Sequence, residues 1–344
     1  MRKFPNVLLN EVDELAFPQF TPVSKPVAFA HPAMFIMHRV IQARTDLHGN
    51  FRWEYFEWWK NHFKKLIGID VADSDRMSRL AVDILNMYDE LIVPSTFCKH
   101  VYESSGVKRK VHVVPHGVDP EWYEMPNLWE TVPPASISPA ILHVYLYKLR
   151  TRRKIILFWL WHSGQRKGWN EVRQFYEKIR KERDDVILVL KTGIANPIEY
   201  QQVMHLGCIN IYGWISETDK LALYDIADLV LVFSRGGGFE LNALEALARG
   251  VPVLTVDWGC FLDYVPPYLR CKKGRRVQPL PGNKLHVGYG YAVDVEDAVN
   301  KAHHILDNLD EYRAKVNEWR EKVLKKRFRW DVIARMLIEI AKSE

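Results

Sequence analysis

No stretch of the chain approaches the roughly 20 uninterrupted apolar residues that a membrane-spanning helix needs, so none is expected. The opening segment, MRKFPNVLLNEVDELAF, starts basic, but its apolar run is short and acidic residues follow at once, unlike a secretory signal. Cysteine is scarce. Cys98, Cys208, Cys260 and Cys271 lie far apart, with no close pair to form a zinc or redox motif, and read as free thiols in a reducing compartment. Repeats and low-complexity segments are missing. Charge of one sign is barely in excess: Lys plus Arg is 48 against 42 for Asp plus Glu, a net charge of +6. That charge reads as scattered and no recognition motif accompanies it, so no nucleic-acid partner is expected. The excess suits a phosphate-bearing ligand or an anionic membrane surface, and ordinary variation accounts for it equally well. What is present is globular: 344 residues, 48% apolar and 26% charged, enough for about two domains with a large core.

From Lys154 onward the pattern alternates. KIILFWLW, VILVLKTG, INIYGW, LVLVFS and VPVLTV read as strands, nearly continuous in apolar residues. Between them lie NEVRQFYEKIRKER, with Asn170 as a plausible N-cap, DKLALYDIA behind a capping-box-like Ser216-Glu217-Thr218-Asp219, and ELNALEALARG closed by Gly250. Such alternation predicts an α/β fold, with a parallel sheet covered by helices on both faces. The first half is less regular. VAFAHP, LIGIDVAD, ELIVPS and KVHVVPHG read as strands of a second α/β unit, with a helix over RMSRLAVDILNMY. Residues 126–139, rich in Pro, Ser and Thr, read as a linker, and 309–343 as a long charged helical stretch.

Two segments carry chemistry. Gly236-Gly237-Gly238-Phe239 sits between a strand and a helix. Glycines let backbone approach a ligand, and a helix N-terminus offers unpaired N–H groups and partial positive charge, a cradle for phosphate. Glu245, one and a half turns into that helix, suits ribose hydroxyls rather than phosphate. Gln165-Arg166-Lys167-Gly168 also follows a strand, and its two cations suit a diphosphate. The plain alternatives are a tight connection, a solvated helix Glu and a solvated basic turn.

In this order, ELIVPSTFCKHVYESSGVKRKVHVVPHGVD, HSGQRKGWNEV and GGGFELNALEALARGVPVL resemble the retaining nucleotide-sugar glycosyltransferases of the GT-B fold, specifically glycosyltransferase family four (glycosyl transferases group 1). The resemblance covers about 91–255 and, more loosely, 289–342. It implies two facing Rossmann-like domains, with the donor in the C-terminal one and the reaction in the cleft. On that reading residues 1–135 form a reduced acceptor-side domain, 150–320 the nucleotide-sugar domain, and 321–344 a helix crossing back, a role that suits FRWDVIARMLIEIAK. The donor is then a nucleoside diphosphate sugar, UDP- or GDP-linked, the acceptor a glycan, lipid or protein, and no metal or other cofactor is needed. A cytoplasmic location follows, with peripheral contact at the inner membrane surface open.

Residue by residue, the resemblance implies that Lys167 and Glu245 match the family's lysine and second glutamate. The family's first glutamate falls on Gly237, and Glu240 stands where the family has glycine, a candidate replacement facing the sugar. Backbone N–H groups from Gly238 through Phe239 and Glu240 to Leu241 face the sugar and diphosphate. The family arginine falls on His162, leaving Arg166 as a substitute or Ser163 to bond a phosphate. The expected N-terminal histidine falls in Val71–Asp75, where there is none. Asp73 or Asp75 takes its role, or else His31 or His38 does. Asp73-Ser74-Asp75 also resembles the metal-binding D-x-D of the other glycosyltransferase fold, while Ser74-Asp75 could simply cap the next helix. FRWEYFEWWKNHF (51–63) is dense in aromatics and reads as core, acceptor-site lining or membrane contact. Lys272-Lys273 and Arg275-Arg276 lie in a Pro- and Gly-rich loop that looks inserted relative to the family, facing solvent, an anionic acceptor or a membrane. The catalytic candidates are thus Glu240, Asp73 and Lys167. The rival reading is a non-catalytic nucleotide-sugar or glycan-binding protein on the same fold.

Overall fold

The computed structural model describes residues 7–130, 137–160, 163–193 and 197–343. They form two compact units. The first takes in 7–115, 280–288 and 331–343, the second 116–279 and 289–330. The stretch read as a linker, 126–139, belongs to the second unit, with 131–136 outside the described residues.

The first unit has a four-stranded parallel sheet in chain order: β1 (Val27–Ala30), β2 (Lys65–Ile69), β3 (Glu90–Val93) and β4 (Lys110–Val113). Parallel neighbours need long crossovers, and the helices between these short strands supply them. Helices Ala33–Ala43, Arg79–Leu85 and Thr96–Ser105 cover one face, burying Met37, Leu85 and Val101 with Leu66 and Leu91. The last two helices start on serines: Ser78 Oγ accepts from the Ala81 N–H at 3.2 Å, and Ser95 Oγ from Cys98 at 3.2 Å. Ser78 therefore holds the cap that Ser74-Asp75 was expected to provide, and the Ser74 hydroxyl instead donates to the Arg76 carbonyl. The helix Trp330–Lys342 lays Ile333 against Ile67, Ile92 and Val114 on the other face. The helical tail is not continuous: a π-turn over Arg320–Leu324 and a break at Phe328 precede that helix.

The second unit holds β5 (Lys154–Leu160), β6 (Val186–Thr192), β7 (Ile209–Tyr212), β8 (Leu229–Val232), β9 (Val253–Val256) and β10 (Arg270–Cys271), all parallel, in the order β10-β9-β8-β5-β6-β7. The five longer strands match the five apolar runs read from the sequence. β5, β6, β8 and β9 are buried on both faces, which is why no alternation shows in their sequences, while the edge strand β7 is only half-buried. The helix Trp169–Glu182 turns Val172, Phe175, Tyr176 and Ile179 inward at helical spacing. Its N-cap is Gly168, not Asn170, which lies inside the first turn. Ser216 caps Glu217–Ile226 as read, accepting from the Asp219 N–H at 3.0 Å, and Gly250 (φ +73°) ends Leu241–Ala248. The stretch around Lys272-Lys273 and Arg275-Arg276, read as a loop, instead forms β11 (Lys273–Val277), which follows β10 and pairs antiparallel with β12 (Gly290–Val293) in a hairpin.

Candidate functional site

The strand order of the second unit changes direction between β5 and β8. From β5 the chain steps outward to β6 and β7, and from β8 it steps the other way to β9 and β10. At such a switch point the connections part above the carboxyl ends of the two strands and leave a crevice. Both Gly-rich and basic turns hang there: residues 163–168 follow β5, and 233–240 follow β8. They are joined by the Arg235 N–H, which donates to the Arg166 carbonyl at 2.8 Å, and by Arg166 Nη1, which donates to the Gly236 carbonyl at 3.1 Å. Arg235 itself is buried in a bidentate pair with Glu171 and is a structural cation.

Glu240 ends the Gly-rich turn and begins the helix Leu241–Ala248. Its carboxylate is 2% exposed, accepts from Lys167 Nζ at 2.6 Å and Ser234 Oγ at 2.5 Å, and lies 3.7 Å from Arg166. Burial alone would raise its pKa, but Lys167 and Arg166 outweigh that and hold it below the usual carboxylate range. A Cβ added at Gly237 would stand 2.4 Å from Glu240 Oε1. Glu240 thus fills the space that a side chain at 237 would need, from three residues further on. It faces Lys167 and Ser234.

Glu245, one turn later in the helix, is also buried. Its carboxylate accepts from Tyr224 Oη at 2.8 Å and pairs with Lys220. Desolvation raises its pKa, offset in part by Lys220 and the Tyr224 hydrogen bond. Glu245 borders a cavity of about 330 Å³ at the switch point. Leu241 and Asn242, at the helix N-terminus, form one side, and Trp159, Trp214 and Ile215 an apolar wall. Three lysines line it, Lys167, Lys191 and Lys220, with Glu217 beside the last.

Lys191 escaped the sequence reading. It is almost fully buried at the end of β6, donates to the carbonyls of Gly213 and Thr192, and lies 5.8 Å from the Trp159 ring. Desolvation pulls its pKa down to about 8. The available signal was a lysine inside VILVLKT, where an all-apolar run would do for a buried strand.

The other expected residues sort clearly. Gly237 and Gly238 are buried in the turn. Phe239 is a packing residue, stacked on Tyr264 at 4.8 Å with His116 edge-on at 5.2 Å. The Ser163 carbonyl accepts from the Lys167 N–H at 3.0 Å, and its φ of +54° closes that turn. His162 lies outside the described residues. Asp73 is in the first unit, after β2. Its N–H donates to His286 Nδ1 at 3.1 Å, an imidazole brought in from the segment 280–288. Among the described residues no group of three or more His, Cys, Asp or Glu could hold a metal ion.

The aromatic segment 51–63 is divided. Phe56, Trp59 and Phe63 are buried, while Trp53, Tyr55 and Trp58 are 59%, 57% and 58% exposed. The segment runs into Lys65, the first residue of β2, at the amino end of the sheet. Ligands of open α/β sheets bind at the carboxyl end, so the acceptor-lining reading loses its support. No helix of the described residues is long and apolar enough to cross a membrane. A second cavity, about 390 Å³, surrounds Arg249, whose guanidinium is occupied by Asp225 and the carbonyls of Trp122, Met125 and Pro126. It is a clasp within the second unit, away from the switch point.

Residues 153–270 match the family "Glycosyl transferases group 1", and 216–337 match "Family 4 Glycosyltransferase in conflict systems". The chain is 29% identical over 341 residues to uncharacterized protein 356 of Sulfolobus islandicus rod-shaped virus 1, covering 97% of this chain and 89% of that protein. It is 25% identical over 290 residues to putative glycosyltransferase 45 of Sulfolobus islandicus filamentous virus, covering 81% and 75%. Among solved structures, Alr3699/HepE of Anabaena in complex with UDP superposes with a TM-score of 0.64 at 15% identity, over 93% of this chain and 79% of that one.

Proposed function

We propose that this chain, a glycosyltransferase of the GT-B fold that resembles family four, transfers a hexose from a nucleoside diphosphate sugar to an acceptor hydroxyl with retention of configuration and without a metal ion. The observation that carries the donor assignment is the cavity at the switch point. Lysine ammonium groups and a helix N-terminus meet an aromatic wall there, with a buried carboxylate beyond. A nucleoside diphosphate has the matching parts: a flat base for Trp159 and Trp214, ribose hydroxyls for Glu245, and phosphates for the cations. The HepE relative binds UDP, and the same ligand class fits this site.

The chemistry asked of the protein is largely electrostatic. When the bond from the sugar to the diphosphate breaks, negative charge grows on the leaving oxygen. Lys167, Arg166 and the amides from Gly238 to Leu241 stand fixed where that charge develops. Glu240 neutralises Lys167 and Arg166 in the free protein, so an incoming diphosphate replaces a carboxylate as their partner. A thermal-shift panel of nucleotide sugars tests the reading, because a ligand that binds only the folded state raises apparent stability. Wild type should be stabilised by a UDP- or GDP-sugar, and Lys167→Ala and Glu245→Ala should each lose most of that shift. If both variants respond like wild type, the site is misplaced.

One observation favours a second reading, a binding protein without turnover: the carboxylate at Glu240 is consumed in a buried ion pair. Slow release of UDP or GDP from the stabilising donor, measured without acceptor, decides against that reading.

A further inference from the structure

Between Asp263 and Asp294 the chain has six Lys or Arg residues and no Asp or Glu. The whole chain has 48 basic and 42 acidic side chains, so the rest balances at 42 of each. The charge is therefore uneven: this segment carries +6, and the other long acid-free stretch, between Glu130 and Glu171, carries seven cations. Five of its six cations fall on β10, β11 and the residue joining them: Arg270, Lys272, Lys273, Arg275 and Arg276. Arg270 pairs with Asp257 and Lys272 lies 3.8 Å from Asp297, while the side chains of Lys272, Lys273, Arg275 and Arg276 are all exposed. Lysines on an edge strand discourage edge-to-edge pairing. One or two suffice for that, so it does not account for four exposed cations within five residues.

The hairpin is anchored on the candidate donor site. The Tyr291 N–H donates to the Arg235 carbonyl at 3.1 Å, and Arg235 begins the Gly-rich turn. A Cβ on Gly290 would stand 1.8 Å from the same carbonyl, so β12 lies directly against the turn. Arg276 pairs with Tyr291 across the hairpin, one strand spacing further out. The cations also keep company with rings: Arg276 lies 4.4 Å from the Tyr289 ring, and Lys273 5.3 Å from Tyr291.

We propose that this hairpin is an acceptor subsite for an acidic glycan, a saccharide chain bearing carboxylate, sulfate or phosphate groups. The inference rests on the donor reading above, which makes a partner beside the Gly-rich turn an acceptor. Four exposed cations within five residues suit a chain of repeated negative charges better than one phosphate. Tyr289 offers an apolar face for a sugar ring beside a guanidinium for its acid group. β11 has no exposed apolar side chain to enter a bilayer, which sets a lipid surface aside.

The test uses the full chain and a fluorescent heparin octasaccharide, read by polarisation at about 150 mM NaCl, where exposed charges more than about 8 Å apart are largely screened. Wild type should bind, and unlabelled octasaccharide but not neutral maltooctaose should compete. The variant Lys273→Ala/Arg275→Ala/Arg276→Ala should bind about tenfold more weakly, three exposed charge contacts being lost. The equally charge-depleted Lys322→Ala/Lys326→Ala/Arg327→Ala should stay within about twofold of wild type. Equal losses in both variants, or none in the first, overturn the proposal. So does tighter binding of an oligothymidylate or of vesicles one-third phosphatidylglycerol, which would make the partner a nucleic acid or a membrane. The hairpin variant should keep the nucleotide-sugar thermal shift, which shows that it is folded. If no nucleotide sugar stabilises wild type, the donor reading fails, whatever the glycan result.

Discussion

At the scale of single residues, the placement of one carboxylate organises the site. Glu240 holds Lys167, Arg166 and Ser234 from the space above Gly237. Replacing Glu240 by Ala should cost about 3–5 kcal/mol in denaturant unfolding, because two cations lose their buried partner. Gly237→Ala should cost about 1–3 kcal/mol, since its Cβ collides with that carboxylate. Lys191 gives the site a pH dependence. Its ammonium loses its proton near pH 8, while an exposed lysine holds on until about 10.4. The protonated form favours an anionic ligand, so nucleotide affinity should fall as pH rises through 8, and Lys191→Met should flatten that profile in titrations at pH 6.5 and 9. A profile as steep in the variant would assign the effect to another group. Lys167 and Glu245 were legible in the sequence because each sits at a fixed distance from a strand end or a helix start. Lys191 was not, since a strand reading says nothing about which way its lysine side chain ends.

At the scale of elements, the inner strands of the second unit were read easily because burial on both faces writes them as apolar runs. Turn chemistry was legible where a side chain makes the cap, as at Ser216. Ser216→Ala should therefore lower stability by about 1 kcal/mol, visible as a fall in Tm. Caps made by backbone geometry were missed: Gly168 starts its helix in the left-handed region (φ +77°), and Asn170 plays no part. The hairpin of β11 and β12 was hidden for a different reason. Its strands are short, three of the five residues of β11 are charged, and their stability comes from pairing with each other and from the Arg235 carbonyl.

At the scale of the whole molecule, both units are α/β, but they are closed differently. The first completes one face of its sheet with the last helix, where Ile333 meets Ile67 and Ile92. Ile333→Ala should destabilise that unit by about 2–5 kcal/mol, and a chain ending at Trp330 should expose an apolar sheet face and aggregate. If the shortened chain unfolds like wild type, the helix is not part of that core. The sequence by itself determined the α/β class, the strand runs of the second unit and the two turns that carry Lys167 and Glu240, because periodicity and helix starts are local properties. Only the tertiary structure decided that those turns meet at one switch point, that Glu240 fills the place of a side chain at 237, and that His286 reaches Asp73 from 213 residues away. Those facts depend on strand order and through-space contact, and the order in which strands pair is set by the burial of the whole sheet, not by any one segment.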